Sequence, residues 1–255
     1  MSAKDDLLVG FELHAEDNIR AALSAGVDVH RPIDGKLPIE ILIEMYTRSP
    51  RFAGCLRVLL DAGASLNDPA LEAVLLDDAA QLRAALDGDS EGLHRRRSLR
   101  SAYTSLEDAS LLHVAAEYNS LDCARFLLAS GVDADVRAGT DDEGLGGQTP
   151  LFHTVNSYQN HSRPAMELLV EYGANLVIRL KGLVWGTGFE WETVVYDVSP
   201  ISYAQCGLYF QFHRPEAQVY SNLRYLMEKR HGVVPKTRNV PNKYLRDDRV
   251  FPPRT

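Results

Sequence analysis

Ser110-Leu-Leu-His-Val-Ala-Ala, then Leu121-Asp-Cys-Ala-Arg-Phe-Leu-Leu and Ser130-Gly-Val-Asp-Ala, form one complete helix-turn-helix unit in the middle of the chain. A serine or threonine oxygen at the start of a helix satisfies free backbone N–H groups, and a proline one residue later gives up a donor that had no partner there. A glycine just past the end adopts the left-handed conformation that stops a helix. Both signals recur in phase. The terminating glycine returns in Ala25-Gly26-Val27-Asp28, Ala62-Gly63-Ala64, Ser130-Gly131-Val132-Asp133 and Tyr172-Gly173-Ala174-Asn175, at spacings of 37, 68 and 42 residues. The long interval is about twice a ~33-residue helical repeat, so it predicts a degenerate unit. Asp68-Pro-Ala-Leu-Glu-Ala-Val-Leu-Leu and Ala79-Ala-Gln-Leu-Arg-Ala-Ala-Leu-Asp-Gly88 supply its two helices. Starts at Leu37-Pro38, Asp68-Pro69, Ser110-Leu111, Thr149-Pro150 and Ser199-Pro200 keep the same register.

These stretches resemble the Thr-Pro-Leu-His and Gly-Ala-Asp signatures of the ankyrin-repeat family, over roughly residues 4 to 232 and most closely from Ser110 to Asp135. The resemblance implies an all-α fold, an ankyrin-repeat solenoid of stacked helix-turn-helix units. Its capping unit would cover 4–26, with repeats at about 36–63, 68–88, 110–135, 149–175 and 199–232. The resemblance also implies that the motif histidine hydrogen-bonds within its turn. His113 holds that position, whereas His153 is displaced by one and Glu40 and Ser202 replace the histidine elsewhere, where looser capping is expected.

Composition narrows the function. With 255 residues, 45% hydrophobic and 24% charged, the chain is long enough for a continuous helical core. A net charge of −8 argues against nucleic acid or an anionic membrane as partner, since phosphate binding needs a dominant basic surface. No apolar run approaches the ~20 residues that cross a bilayer, and Met1-Ser-Ala-Lys-Asp-Asp lacks the layout of a secretion signal. A cytoplasmic protein is expected. Cys55, Cys123 and Cys206 stand apart among apolar neighbours and read as small buried fillers rather than disulfide or metal ligands.

Four segments depart from the repeat. Residues 89–106, with His94-Arg-Arg-Arg and Arg100, hold too few periodic apolar residues for a repeat. They read as a solvated linker or surface helix that balances the acidic chain. The glycine-rich loop 137–149 lacks the alternating acidic pattern of a calcium site despite Asp141-Asp-Glu. Residues 176–198 read as a long two-stranded hairpin turning at Gly186-Thr187-Gly188, because β-branched and aromatic residues flank the glycines. Alternation sets Phe189, Trp191, Thr193 and Val195 on one face and Glu190, Glu192, Val194 and Tyr196 on the other. Residues 233–255 form a basic, proline-containing tail, which Tyr244, Leu245, Val250 and Phe251 could dock on the last unit.

No local pattern for a nucleophile, phosphate loop or metal cluster is present, so no enzyme, cofactor or metal is expected. His153 and His161 read as surface or capping residues rather than a ligand pair. A stack of helix pairs instead offers an extended concave face suited to one protein partner, as adaptor or inhibitor. Its expected contact residues are Glu117, Tyr118, Asn156, Tyr158, Trp185, Phe189, Trp191, Tyr196 and Tyr209, because large aromatics with a polar handle dominate interfaces. Phe189 and Trp191 could instead pack internally, whereas Trp185, close to the turn, is expected outside. Two alternatives differ in kind. One is an enzyme or small-ligand receptor with a pocket between the hairpin and the last unit, using Glu190, Glu192, Asp197, His213 or Arg214. The other is a homodimer through the hairpin edge in place of a monomer.

Overall fold

In the computed structural model, residues 2–89 and 91–232 are described. Among them the chain forms twelve α-helices and two small antiparallel sheets. The helices come in pairs. α1 (Ala3–Leu13) pairs with α2 (Glu16–Ser24), α3 (Pro38–Glu44) with α4 (Phe52–Asp61), and α5 (Pro69–Leu75) with α6 (Ala79–Leu86). α7 (Leu111–Tyr118) then pairs with α8 (Leu121–Ala129), α9 (Pro150–Val155) with α10 (Arg163–Glu171), and α11 (Pro200–Cys206) with α12 (Glu216–His231). First helices α5, α7, α9 and α11 lie side by side in sequence order, and second helices α6, α8 and α10 follow the same order. One apolar cluster runs from Leu7 in α1 to Leu226 in α12. The first pair packs on the second, and the third to sixth pack in succession, as in repeat proteins whose units cannot bury their core alone.

The local chemistry follows the start and stop signals. Gly26, Gly63, Gly131 and Gly173 have φ between 86 and 95°. The residue after each closes a six-residue loop onto the helix it ends, as in Val132 N–H to Leu127 O at 3.1 Å. In the Ser110 unit, the serine N–H donates to His113 Nδ1 at 3.1 Å and the His113 Nε2 faces Gln148 O at 3.0 Å. The expectation of looser capping elsewhere is corrected in two units. Glu40 Oε2 accepts the Leu37 N–H at 2.7 Å, and Ser202 Oγ accepts the Ser199 N–H at 2.8 Å. A carboxylate or hydroxyl three residues on reaches the same donor as the imidazole. Only the displaced histidine leaves a gap, since the buried Thr149 Oγ has no partner among the described residues.

The described part of residues 89–106 forms no helix; a mostly exposed connection over 91–96 leads into a buried segment at 101–104. Between the two lies β1 (Arg97–Leu99), paired antiparallel with β2 (Leu106–Ala109). Arg97 is buried, because its guanidinium reaches the α5 cap, with Nε 2.7 Å from Asp68 Oδ2. The second hairpin joins β3 (Leu180–Trp185) to β4 (Thr193–Val198). Its strands are shorter than the alternation suggested, so Phe189 and Trp191 sit in the connection. Within β4 the assigned faces hold: Val195 is buried, Val194 and Tyr196 exposed. All three cysteines are buried and free. None of the described helices is long and apolar enough to cross a membrane. The tail lies outside the described residues.

Candidate interaction surface

α7 reads Leu-Leu-His-Val-Ala-Ala-Glu-Tyr, so Glu117 is the only acidic group on a mostly apolar helix. Expected to face outward, it is buried at 2% exposure, because a cation comes to it from another unit. Arg48, in the turn between α3 and α4, places Nε 3.1 Å from Glu117 Oε1, while its Nη1 donates to Met45 O and Thr47 O. The second carboxylate oxygen lies 3.2 Å from His153 Nδ1. A buried charge persists only when paired and hydrogen-bonded. Burial opposes the Glu117 carboxylate, but the Arg48 guanidinium and the His153 hydrogen bond outweigh it and hold its pKa below the ordinary range. Burial likewise opposes the Arg48 cation, and Tyr118 and Glu117 offset it.

Aromatic rings close over this pair. Arg48 Cζ lies 4.6 Å from the Tyr118 ring centroid and 5.5 Å from that of Tyr103, and Arg214 Cζ lies 4.7 Å from Tyr103. Tyr103 stacks on Trp185 at 5.9 Å, and Trp185 on Phe212 at 4.3 Å. Tyr118 donates to Ile43 O at 2.7 Å, and Tyr103 donates to Tyr46 O. Arg214 donates through Nε to Asn156 O at 2.7 Å and through Nη1 to Phe212 O at 2.7 Å. Burial pushes the phenols of Tyr103 and Tyr118 up to about 12 and lowers Arg214.

The expected contact residues therefore divide. Glu117, Tyr118, Asn156 and Trp185 lie inside, between 2 and 7% exposed, so their expected outward placement is corrected. Each is covered by another segment: Glu117 by Arg48 and His153, Tyr118 by Arg48 and Phe52, Asn156 by Tyr203 and Arg214, and Trp185 by Tyr103 and Phe212. Tyr158 is half-buried, with its ring 6.4 Å from Tyr46. Of the other four, Phe189 is also half-buried and the remaining three are exposed. Phe189 and Trp191 stack on each other at 4.6 Å in the β3–β4 connection, with Trp191 38% exposed. Tyr196 is 65% and Tyr209 52% exposed, and the neighbouring Phe210 reaches 87%.

Arg48 and Tyr103 were not among the expected site residues. Arg48 gave no local signal, since an arginine in a polar turn is ordinary; the lone acid on α7 was the available clue that some cation must approach. His113 and His153 meet edge to face at 5.5 Å, both buried. They serve the turn and Glu117, and no cluster of metal-ligating side chains occurs among the described residues.

The hairpin is held through its inner strand, β3. Gly186 N–H donates to Tyr103 O at 2.8 Å and Gly146 N–H to Gly182 O at 2.9 Å. β3 is thus spent on intramolecular bonds, and β4 is the strand that turns exposed side chains outward.

In comparison with known proteins, the family model described as Ankyrin repeats (3 copies) matches residues 82–179. No curated protein matches the chain.

Proposed function

We propose that this chain, an ankyrin-repeat protein whose repeats are recognised across residues 82–179, is a non-catalytic module that grips one protein partner through the face bearing its β3–β4 hairpin. Ankyrin repeats are in general protein-interaction modules. The observation that carries the finer reading is the exposure of Trp191, Val194 and Tyr196 on the hairpin and of Tyr209 and Phe210 beside Phe212, which stacks under the hairpin on Trp185. Exposed aromatics on a rigid support suit a contact site, because little side-chain entropy is lost on docking. The role is that of an adaptor or inhibitor in a stacked-repeat solenoid, in solution as a monomer.

The pocket alternative fares worse. Its junction between hairpin and last unit is filled, with Phe212 at 0% exposure against Trp185. Of its polar groups, Asp197 is taken by Arg179 at 2.9 Å and Arg214 by backbone carbonyls.

The test is capture of a partner from lysate by the wild-type chain and by a Trp191→Ala, Tyr196→Ala variant. Truncating two central contact aromatics should weaken binding by about 2 kcal/mol or more each, roughly thirtyfold, with stability unchanged to within about 1 kcal/mol. Equal capture by both proteins sinks the hairpin reading. Sedimentation at several concentrations separates a hetero-partner from self-association.

A further inference from the structure

Three projections converge beside the hairpin: β2, the 137–148 loop and β3. Between them lies a groove of about 340 Å³. β2 supplies Glu107 and Asp108, the loop supplies Asp141, Leu145 and Gln148, and β3 supplies Val184. The three carboxylates belong to exposed residues, and none is in an ion pair with a described residue. Three cations border the groove and bond to backbone carbonyls rather than to these carboxylates: Arg137 donates to Gly147 O at 2.7 Å, Arg96 to Arg137 O and to Asp108 O at 3.4 Å, and Lys181 to Glu143 O. The carboxylates along this partly apolar cleft therefore keep acceptor oxygens without a direct ion-pair partner among the described residues.

A second observation is independent of charge. Gln148 lines the groove yet is only 1% exposed. Its Nε2 donates to Ser105 O, and its Oε1 has no partner among the described residues. A buried acceptor without a donor costs stability until a donor reaches it.

We propose that this groove receives an arginine side chain of the protein partner, which deepens the binding role argued above and rests on it. Leu145 and Val184 suit the aliphatic stem, and the carboxylates with the Gln148 carbonyl suit a flat guanidinium with five N–H donors. An ammonium, a point charge with three donors, uses fewer of these acceptors. The site thereby selects partners with an exposed basic segment.

The test uses the full chain with hexa-arginine and hexa-lysine peptides as probes, measured by calorimetry at low salt. The groove variant is Glu107→Gln with Asp108→Asn. Asp108 has φ of 45°, which asparagine tolerates. Asp141 is left intact, because its Oδ1 holds the loop by accepting from Glu143 N–H at 3.0 Å and Leu145 N–H at 2.8 Å. A control, Asp61→Asn with Glu171→Gln, removes the same charge outside the groove. Hexa-arginine should bind the groove variant about tenfold more weakly than wild type, the equivalent of one charge-assisted hydrogen bond. The control should bind like wild type, and hexa-lysine should bind wild type more weakly than hexa-arginine. Equal hexa-arginine affinity for wild type and groove variant, an equal loss in the control, or hexa-lysine binding as tightly overturns the assignment. Trp191-dependent capture of a partner alongside a flat peptide result overturns the groove alone; the converse sinks the hairpin reading alone.

Discussion

Replacing Glu117 by glutamine tests the centre of the molecule directly. The carboxylate accepts from Arg48 Nε at 3.1 Å and faces His153 Nδ1 at 3.2 Å, with both ion-pair side chains at most 3% exposed. Glutamine keeps the shape and one acceptor but removes the charge, so the Arg48 cation stays buried without a counterion. Two unit charges about 4 Å apart attract by about 4 kcal/mol at the effective dielectric of protein sites. Breaking a buried pair costs about 3–5 kcal/mol in practice. A loss of that size is a large share of the ~5–15 kcal/mol that keeps a domain folded. Equilibrium urea unfolding, followed by far-UV circular dichroism and by tryptophan fluorescence, reads it. Arg48→Met with Glu117→Gln should recover part of the loss, because methionine fills the space without needing a counterion, giving a coupling of about 2 kcal/mol. The reasoning is refuted if Glu117→Gln costs less than about 1 kcal/mol or if the two substitutions simply add.

The buried histidines predict acid sensitivity. Burial lowers His113 to about 3 and His14 to about 4, so below the unfolded value near 6.5 the unfolded chain binds more protons and stability falls as pH falls. Between about pH 7.5 and 5 the two together should remove roughly 4 kcal/mol, whereas Glu117, depressed from a lower reference, matters only in stronger acid; a flat urea midpoint over that interval contradicts this. Gly146 has φ of 103°, and a Cβ there would come within 2.6 Å of Gly139 O. Gly146→Ala should therefore cost about 1–3 kcal/mol and loosen the loop from Gly182, seen as faster exchange of the amide at position 146. With Cys55 held up to about 11 and Cys123 raised further by burial, a thiol reagent should label native protein only as fast as it opens. Rapid labelling of any of the three contradicts their buried placement.

The repeat was legible because helix stops and starts depend on local backbone chemistry. Gly26, Gly63, Gly131 and Gly173 announce themselves whatever surrounds them, and Pro38, Pro69, Pro150 and Pro200 mark the starts. The β3–β4 pairing was legible for a similar reason, since Val194, Val195 and Tyr196 alternate. What did not show was which side of the stack is covered. Tyr103 lies in a segment without helical period, and its ring reaches Arg48 and Arg214 only through tertiary folding. An outward position on α7 is a statement about one helix, and the fate of Glu117 was settled by an arginine 69 residues earlier. Exposure was foreseen best at Tyr196 and Tyr209, over which no other described segment folds.

Stacked repeats that touch only their neighbours unfold like a zipper, with the ends fraying first. The Arg48–Glu117 contact, together with Tyr103 and Trp185, bolts the second helix pair to the fourth and to both hairpins. Fraying from the amino-terminal side must break that bolt before it can advance, so melting should be a single transition. During synthesis, the bolt closes only after Trp185 has left the ribosome, which leaves the early repeats without their full tether until both hairpins have emerged.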